Sequence, residues 1–413
     1  MEYSEQYLHL GEEIDIDDYV ICEYRVTTDM PMPQAAAAIA TEQSTGTWTK
    51  ISTLKEDVFE KYSGRVISIE GDRTSIAFPK DIFSIENGGV PQILSVVAGN
   101  LFGLEPLRGV RLEDVHFPRS ILEQFPGPRF GIEGLREVLK RPKKPLVGTI
   151  VKPKVGLSPK DTANYIYEAG KGGLTNGKDD ETLVDQVFCP IEDRTVAIAE
   201  SLDRLKEEGH IMVHAINVST SGHKIVELAE KAQDWGASQI MLDVLTCGFA
   251  AVQALREDPS IKVPIHVHRT MHAAITRDPL HGIAMKPMVK LVRMCGGDGL
   301  HIGTFGVGKM KGLHHEELGN LDACVGDELP YKSMMPVCSG GLHAGMIEAL
   351  AKIVGLDLQV QAGGGVSGHP GGVRGGAMAM SQAVDAVTEG ISLPEYAKTH
   401  KELAQSLDKW GYV

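Results

Sequence analysis

From about Leu146 to the end of the chain, short apolar runs alternate with amphipathic stretches. The apolar runs are Leu146–Val151, Gly173–Lys178, Ile211–Asn217, Gln239–Leu245, Pro264–Arg269, Gly299–Gly303, Pro336–Ser339 and Leu358–Ala362. Helical patterning separates them, as in Pro159–Gly170, Asp193–Glu208, Gly222–Gly236 and Gly345–Val354. Near-continuous apolar strands alternating with helices predict a parallel sheet covered by helices. Eight such units predict a (β/α)8 barrel, with an open doubly wound sheet as the competitor.

The first third has a different rhythm. Tyr19–Thr28 alternates as a strand does, Ala35–Ala40 starts a helix, and Trp48–Thr53, Arg65–Glu70 and Thr74–Phe78 are further strand candidates. Phe125-Pro126-Gly127-Pro128 breaks this pattern, and a helix near Ile132–Lys140 leads into the barrel. The expected division is an α+β (ferredoxin-like) domain over 1–130 and a (β/α)8 TIM barrel over 131–413. A chain of 413 residues accommodates both.

If the barrel is right, reactive side chains should gather just after the strands. They do. Lys152 and Lys154 follow the first. Lys178, Asp180 and Glu181 end the second. Asn217 and Asp243 are the polar candidates on the third and fourth. His266, His268 and Arg269 lie on the fifth, with His272 beyond. His301 ends the sixth and is followed by a glycine-rich loop to Lys309. Ser339-Gly340-Gly341 and Gly363-Gly364-Gly365 follow the last two.

The run Gly172–Glu181 poses a chemical question. Two carboxylates suit a hard cation such as Mg2+, but an ammonium repels one. Lys178 can join a metal site only if it is neutralised or becomes an oxygen ligand, as a carbamate formed with CO2 would be. Strand alternation puts residues 178 and 180 on one side and 181 on the other, unless the chain turns there. An ordinary charged loop is the alternative.

His266 and His268 share a strand face. A zinc half-site, a buried structural histidine at 266, and anion binding by Arg269 with proton transfer by His268 are all open readings. The Gly303–Lys309 loop lacks the Ser or Thr of a phosphate-binding P-loop. A lysine-bearing lid and a plain surface loop both fit. Glycines after the last two strands let backbone N–H groups approach a phosphate. With Arg269 and His301 across the mouth, a second phosphate could be held, which points to a bisphosphate.

Charge and composition narrow the picture. The net charge of −14 argues against a general nucleic-acid binder. There is no secretory leader pattern and no apolar run of about 18 residues, so no membrane span is expected. Six scattered cysteines suit free thiols in a reducing cytoplasm.

Together these residues resemble the large subunit of ribulose-bisphosphate carboxylase (RuBisCO), and the resemblance runs nearly the whole chain. Gly148–Lys154, Gly172–Glu181, His266–His272, His301–Lys309 and Ser339–Gly341 look like that family's motifs. So do Glu42–Trp48 and Gly99-Asn100 in the first third. The GTFGVGK lid and the end at Val413 look more like the archaeal-type (form III-like) enzymes than the plant ones. Thr175, Asn176, Ile302 and Lys311 depart from the family pattern.

The resemblance implies carboxylation of ribulose bisphosphate by CO2, with O2 as a competing reactant. It implies Mg2+ held by carbamylated Lys178 with Asp180 and Glu181, and catalysis by Lys152, Lys178, His268 and Lys309. Glu42, Thr47, Trp48, Asn100, Lys154, Arg269, His272, His301, Ser339, Gly341, Gly363 and Gly364 would bind substrate. Glu42, Thr47, Trp48 and Asn100 would serve a neighbouring subunit's site, so a homodimer or an assembly of dimers is expected, without a small subunit. The setting would be a carbon-fixation cycle or nucleotide (AMP) salvage. A RuBisCO-like enolase or isomerase in sulfur salvage is the rival reading, and a non-catalytic assembly protein a more distant one.

Overall fold

The computed structural model describes residues 5–46, 49, 51–309 and 314–413, except for the side chain of His314. The chain divides into two compact units. One is Met1–Phe125 with Met271–Leu291; the other is Pro126–Thr270 with Val292–Val413.

The strands of the first third are β1 (Tyr19–Thr28), β2 (Arg65–Glu70), β3 (Arg73–Pro79) and β4 (Leu107–His116). Then come β5 (Leu146–Ile150), β6 (Asn176–Lys178), β7 (Val213–Asn217), β8 (Gln239–Asp243) and β9 (Ile265–His268). The short β10 (Gly282–Ile283) precedes β11 (Gly299–His301), β12 (Met335–Ser339) and β13 (Gln359–Gln361).

The first unit holds a mixed sheet in the order β10-β4-β1-β3-β2. β1 runs antiparallel to both β3 and β4, and β10 is parallel to β4. Val20, Cys22, Tyr24 and Val26 are buried at every second position of β1, which is the period a one-sided sheet requires. The expected strand over Trp48–Thr53 does not form where it is described: Ile51 is irregular, and Ser52 and Thr53 lie in a turn. Trp48 and Lys50 lie outside the described residues.

In the second unit, eight parallel strands close in the order β11-β12-β13-β5-β6-β7-β8-β9, and β11 pairs back to β9. Seven of the eight expected apolar runs contain one of them, and the eighth, Pro336–Ser339, lies within β12, which starts one residue earlier at Met335. The helix Gly131–Val138 and the residue after it send Ile132, Leu135 and Leu139 against Leu146, Val213, Met335 and Val337. Leu146, Val213 and Met335 open their strands, so this apolar plug fills the N-terminal end of the barrel. The polar side chains are left for the C-terminal end.

The glycines before β6 serve this packing. A Cβ on Gly172 would lie 2.4 Å from the Ala377 Cβ, and Gly173 has φ +94°. They bring the chain round from the helix Pro159–Lys171 without touching the acidic run. No helix among the described residues is long and apolar enough to cross a membrane. All six cysteines are free.

Candidate active site

β6 carries Lys178 into the barrel, where the side chain is only 1% exposed. Its Nζ donates to the Asp179 carbonyl at 2.6 Å and lies 3.9 Å from Glu181 Oε2. The chain therefore does turn after Lys178, and Glu181 comes back to the lysine's side. Burial pulls the Lys178 amine below its ordinary range, against the opposing pull of Glu181, Asp180, Asp243 and Asp179. A buried amine with a lowered pKa is more often the neutral, nucleophilic form.

Asp180 Oδ2 holds the Lys152 ammonium at 2.7 Å. Asp180 Oδ1 accepts from the Thr182 backbone N–H and hydroxyl at 3.2 and 2.9 Å. Burial alone would raise the Asp180 carboxyl, but the Lys152 charge and the Thr182 hydrogen bonds bring it below the usual value. Asp180 is thus an anion at neutral pH, and the ammonium already beside it marks a cation position.

Beneath this acidic cluster lie Asp179, His214 and Arg194, which the spacing of the sequence does not single out. Asp179 points the opposite way, into a fully buried cluster. Its Oδ1 lies 3.0 Å from His214 Nε2, and its Oδ2 accepts from Arg194 Nε at 3.1 Å and the Asn217 backbone N–H at 3.0 Å. Arg194 also donates to the carbonyls of Cys189 and Val184, each at 2.7 Å. Asn217 Nδ2 donates to the carbonyls of Asp180 and Glu181 at 3.3 and 3.1 Å. Asn217, the polar candidate of the third barrel strand, clamps the backbone of both acidic residues.

Three histidines line the fifth and sixth barrel strands. His268 Nδ1 accepts from the Thr270 N–H at 3.1 Å and lies 3.2 Å from Asp243 Oδ1; its Nε2 is 3.9 Å from Glu181 Oε2. Burial lowers its pKa, with Asp243 opposing, so the ring is neutral at neutral pH and can accept a proton. His266 Nε2 meets His301 Nε2 at 2.8 Å, and His301 Nδ1 meets Ser339 Oγ at 2.6 Å. Both rings pack against His301, but the nearest hydrogen-bond partners of His266 and His268 differ, and these histidines form no metal-ligand group among the described residues, which speaks against the zinc half-site reading. Burial brings the Arg269 guanidinium down to about 10, still cationic at neutral pH.

The Gly303–Lys309 loop lies against the loop after β12. Lys309 N–H donates to the Gly340 carbonyl at 3.1 Å. A Cβ on Gly341, at φ +72°, would fall 2.6 Å from the Lys309 Cγ. A Cβ on Gly363 would sit 3.2 Å from the Lys152 Cε, while Gly364 is open around its Cα. Lys152, Lys309, Gly341 and Gly363 thus gather round the ends of β5, β12 and β13. Lys154 is exposed.

The other expected site residues belong to the first unit. Glu42 is half-buried at the end of the helix Met32–Glu42. The side chain of the next residue, Gln43, donates to the Val96 carbonyl, which ties that helix end to the turn before exposed Asn100. His272 Nδ1 is 2.9 Å from Thr276 Oγ1. Thr47 and Trp48 lie outside the described residues, as does Lys311. Of the departures, Thr175 Oγ1 bonds the Val147 backbone and Asn176 Oδ1, and Ile302 is fully buried.

Two family models cover most of the chain. The ribulose bisphosphate carboxylase large chain catalytic domain matches residues 131–410, and the N-terminal domain of the same large chain matches residues 7–121. The chain belongs to the ribulose bisphosphate carboxylase large-chain family. The ribulose bisphosphate carboxylase of Methanocaldococcus jannaschii is 40% identical, with 98% of this chain and 99% of that one covered. That of Methanosarcina mazei is 41% identical over 95% and 96%. Among solved structures, the sulfate complex of the octameric Rubisco from Pyrococcus horikoshii superposes with a TM-score of 0.92 at 37% identity, covering 99% of this chain and 97% of that one. The dimeric archaeal Rubisco from Hyperthermus butylicus gives 0.91 at 38%, covering 99% and 100%.

Proposed function

We propose that this protein carboxylates ribulose 1,5-bisphosphate with CO2 to give two molecules of 3-phosphoglycerate, with attack of O2 as a side reaction. The observation that carries the reading is the convergence of a buried, easily deprotonated Lys178 with Asp180 and Glu181 at the barrel mouth. That donor set suits a carbamate and a hard divalent cation. Mg2+, held by the Lys178 carbamate, Asp180 and Glu181, would supply electrostatic stabilisation of the oxyanion that forms on enolisation.

The chain's own groups account for the remaining steps. Lys178, once carried as a carbamate, would take the proton beside the substrate carbonyl, giving an enediolate whose carbon would attack CO2. Lys309, with Glu42 of a partner protomer as its ionic partner, neutralises the new carboxylate. His268, neutral and beside Glu181, relays protons. After hydration and carbon–carbon cleavage, Lys152 protonates the departing carbanion, and Lys154 tunes its charge. Arg269, His301 and Ser339 hold one phosphate. Gly341, Gly363 and Gly364, with Thr47 and Trp48 of the partner, hold the other; Asn100 and His272 complete the substrate contacts.

On this reading the functional unit is at least a homodimer, with residues 1–130 serving the neighbour's site and 131–413 carrying the chemistry. A cytoplasmic setting suits six free thiols. The rival enolase or isomerase needs the acidic site but no lysine for a new carboxylate. Retention of Lys309, Glu42, Asn100 and Lys152 favours the carboxylase.

The test is incubation with CO2 and Mg2+, then ribulose bisphosphate and labelled bicarbonate. Label in acid-stable 3-phosphoglycerate is the expected result. Folded, carbamylated protein that yields none would sink the proposal. Gly341→Ala probes the phosphate loop. A left-handed alanine costs about 1–2 kcal/mol, and its methyl displaces the Lys309 stem. Thermal melts should show a modest loss of stability and kinetics a raised KM for the bisphosphate; an unchanged KM would remove Gly341 from that role.

A further inference from the structure

The chain His266–His301–Ser339 contains one residue for which the carboxylase reading has no use. His266 is buried on β9, the neighbour of β11 in the barrel, and its Nε2 is 2.8 Å from the Nε2 of His301. With Nδ1 at 2.6 Å from Ser339 Oγ, both ring nitrogens of His301 are engaged. A neutral imidazole has one donor and one acceptor nitrogen, so the chain has only two polarities.

In the first, His266 Nε2–H donates to His301 Nε2, and His301 Nδ1–H donates to Ser339 Oγ. The serine hydrogen is then free to reach into the barrel mouth. In the second, the Ser339 O–H donates to His301 Nδ1, and His301 Nε2–H donates to His266. Ser339 then offers only lone pairs, which repel an anion. Ser339 is half-buried at the C-terminal end of β12, where a hydroxyl can face both the ring and a ligand. Only the first polarity builds an anion site.

We infer that His266 is a positioning residue: as an Nε2–H donor it holds His301 in the Nδ1–H tautomer and so turns the Ser339 hydroxyl outward as a donor to a phosphate group. This rests on the proposed phosphate role of Ser339. Burial keeps both imidazoles far below their ordinary range and therefore neutral, so the tautomer and not protonation decides the outcome.

The experiment has two arms that do not need the carboxylation reaction. Histidine-selective 15N spectra of the full-length protein should show His301, assigned by loss of its signal in His301→Gln, protonated at Nδ1. An Nε2–H tautomer in the unaltered protein overturns the inference, whatever the variants do. Binding of inorganic phosphate, followed by 31P spectra, should weaken about tenfold or more in His266→Met, the size expected for a lost hydrogen bond to a charged group. It should recover in His266→Gln, whose amide N–H can donate from a similar reach. Equal phosphate binding by all three proteins, or failure of glutamine to restore it, overturns the inference. A protein that fixes no CO2 yet passes both arms refutes the proposed reaction and leaves the relay standing.

Discussion

Replacing Lys178 by methionine is expected to leave a folded protein that fixes no CO2. Lys178 is almost fully buried, and burial lowers its amine from the ordinary lysine value. An exposed lysine is only about 0.04% neutral near pH 7, and CO2 reacts with the neutral amine alone. The same burial makes the charged form costly, so a side chain of similar length without charge should be tolerated to within about 1.5 kcal/mol. Carboxylation should nevertheless fall by about 10^4-fold or more, since a general base alone contributes about 10^2–10^4 and an anionic ligand goes with it. Labelled 3-phosphoglycerate measures the loss, and the carbamate signal seen with 13CO2 should vanish too. Lys152→Met should keep that carbamate signal while turnover collapses. Carboxylation within tenfold of the unaltered protein in Lys178→Met would refute the role given to this residue.

The barrel was legible because its periods are strong. Eight apolar runs at helix-sized intervals admit few folds, and each run coincides with a strand to within a few residues. β4 was missed for a physical reason: Leu107–His116 interleaves Arg111, Glu113 and Asp114 with its apolar residues, and both Arg111 and Asp114 are buried. Side-chain alternation cannot see a charge that the fold pairs inside. At the end of β6, by contrast, Lys178, Asp180 and Glu181 were legible as a cluster. Their support was not, because alternation assigned Asp179 to the face away from the site. In a barrel that face is covered by helices, so a carboxylate there needs a buried partner. Arg194 supplies it from the helix Ile191–Glu207, where a sequence shows only one more cation on a polar helix face. The lead-in glycines Gly172 and Gly173 belong to helix packing and a left-handed turn, not to the acidic cluster that follows them.

The Asp179–Arg194 pair carries the second large effect. Burial would raise the Asp179 carboxyl, but the Arg194 charge, His214 and the Asn217 N–H together hold it at about 2, against an ordinary 3.8. A depressed folded-state pKa contributes stability that is complete above the unfolded value and is lost as pH falls through the folded one. The contribution here is about 2 kcal/mol, present above pH 4 and gone below about pH 2. Asp179→Asn removes it and strands a guanidinium that is wholly buried. Leaving a buried charge without its partner costs about 3–5 kcal/mol, so denaturant melts at pH 7 should show that loss. The gap between the two proteins should narrow as pH falls from 4 toward 2. Adding Arg194→Met to Asp179→Asn should recover much of the stability, because the orphaned cation is then gone. The site should still suffer in the double variant. Asn217 bonds Asp179 through its N–H and the Asp180 and Glu181 carbonyls through its side chain, so loosening Asp179 loosens the turn that aims both carboxylates. More Mg2+ should then be needed for activation, with the KM for the bisphosphate little changed. Asp179→Asn within 1 kcal/mol of the unaltered protein at pH 7 would mean that Arg194 is solvated by its carbonyl partners alone, and that the cluster beneath the site is not held by charge.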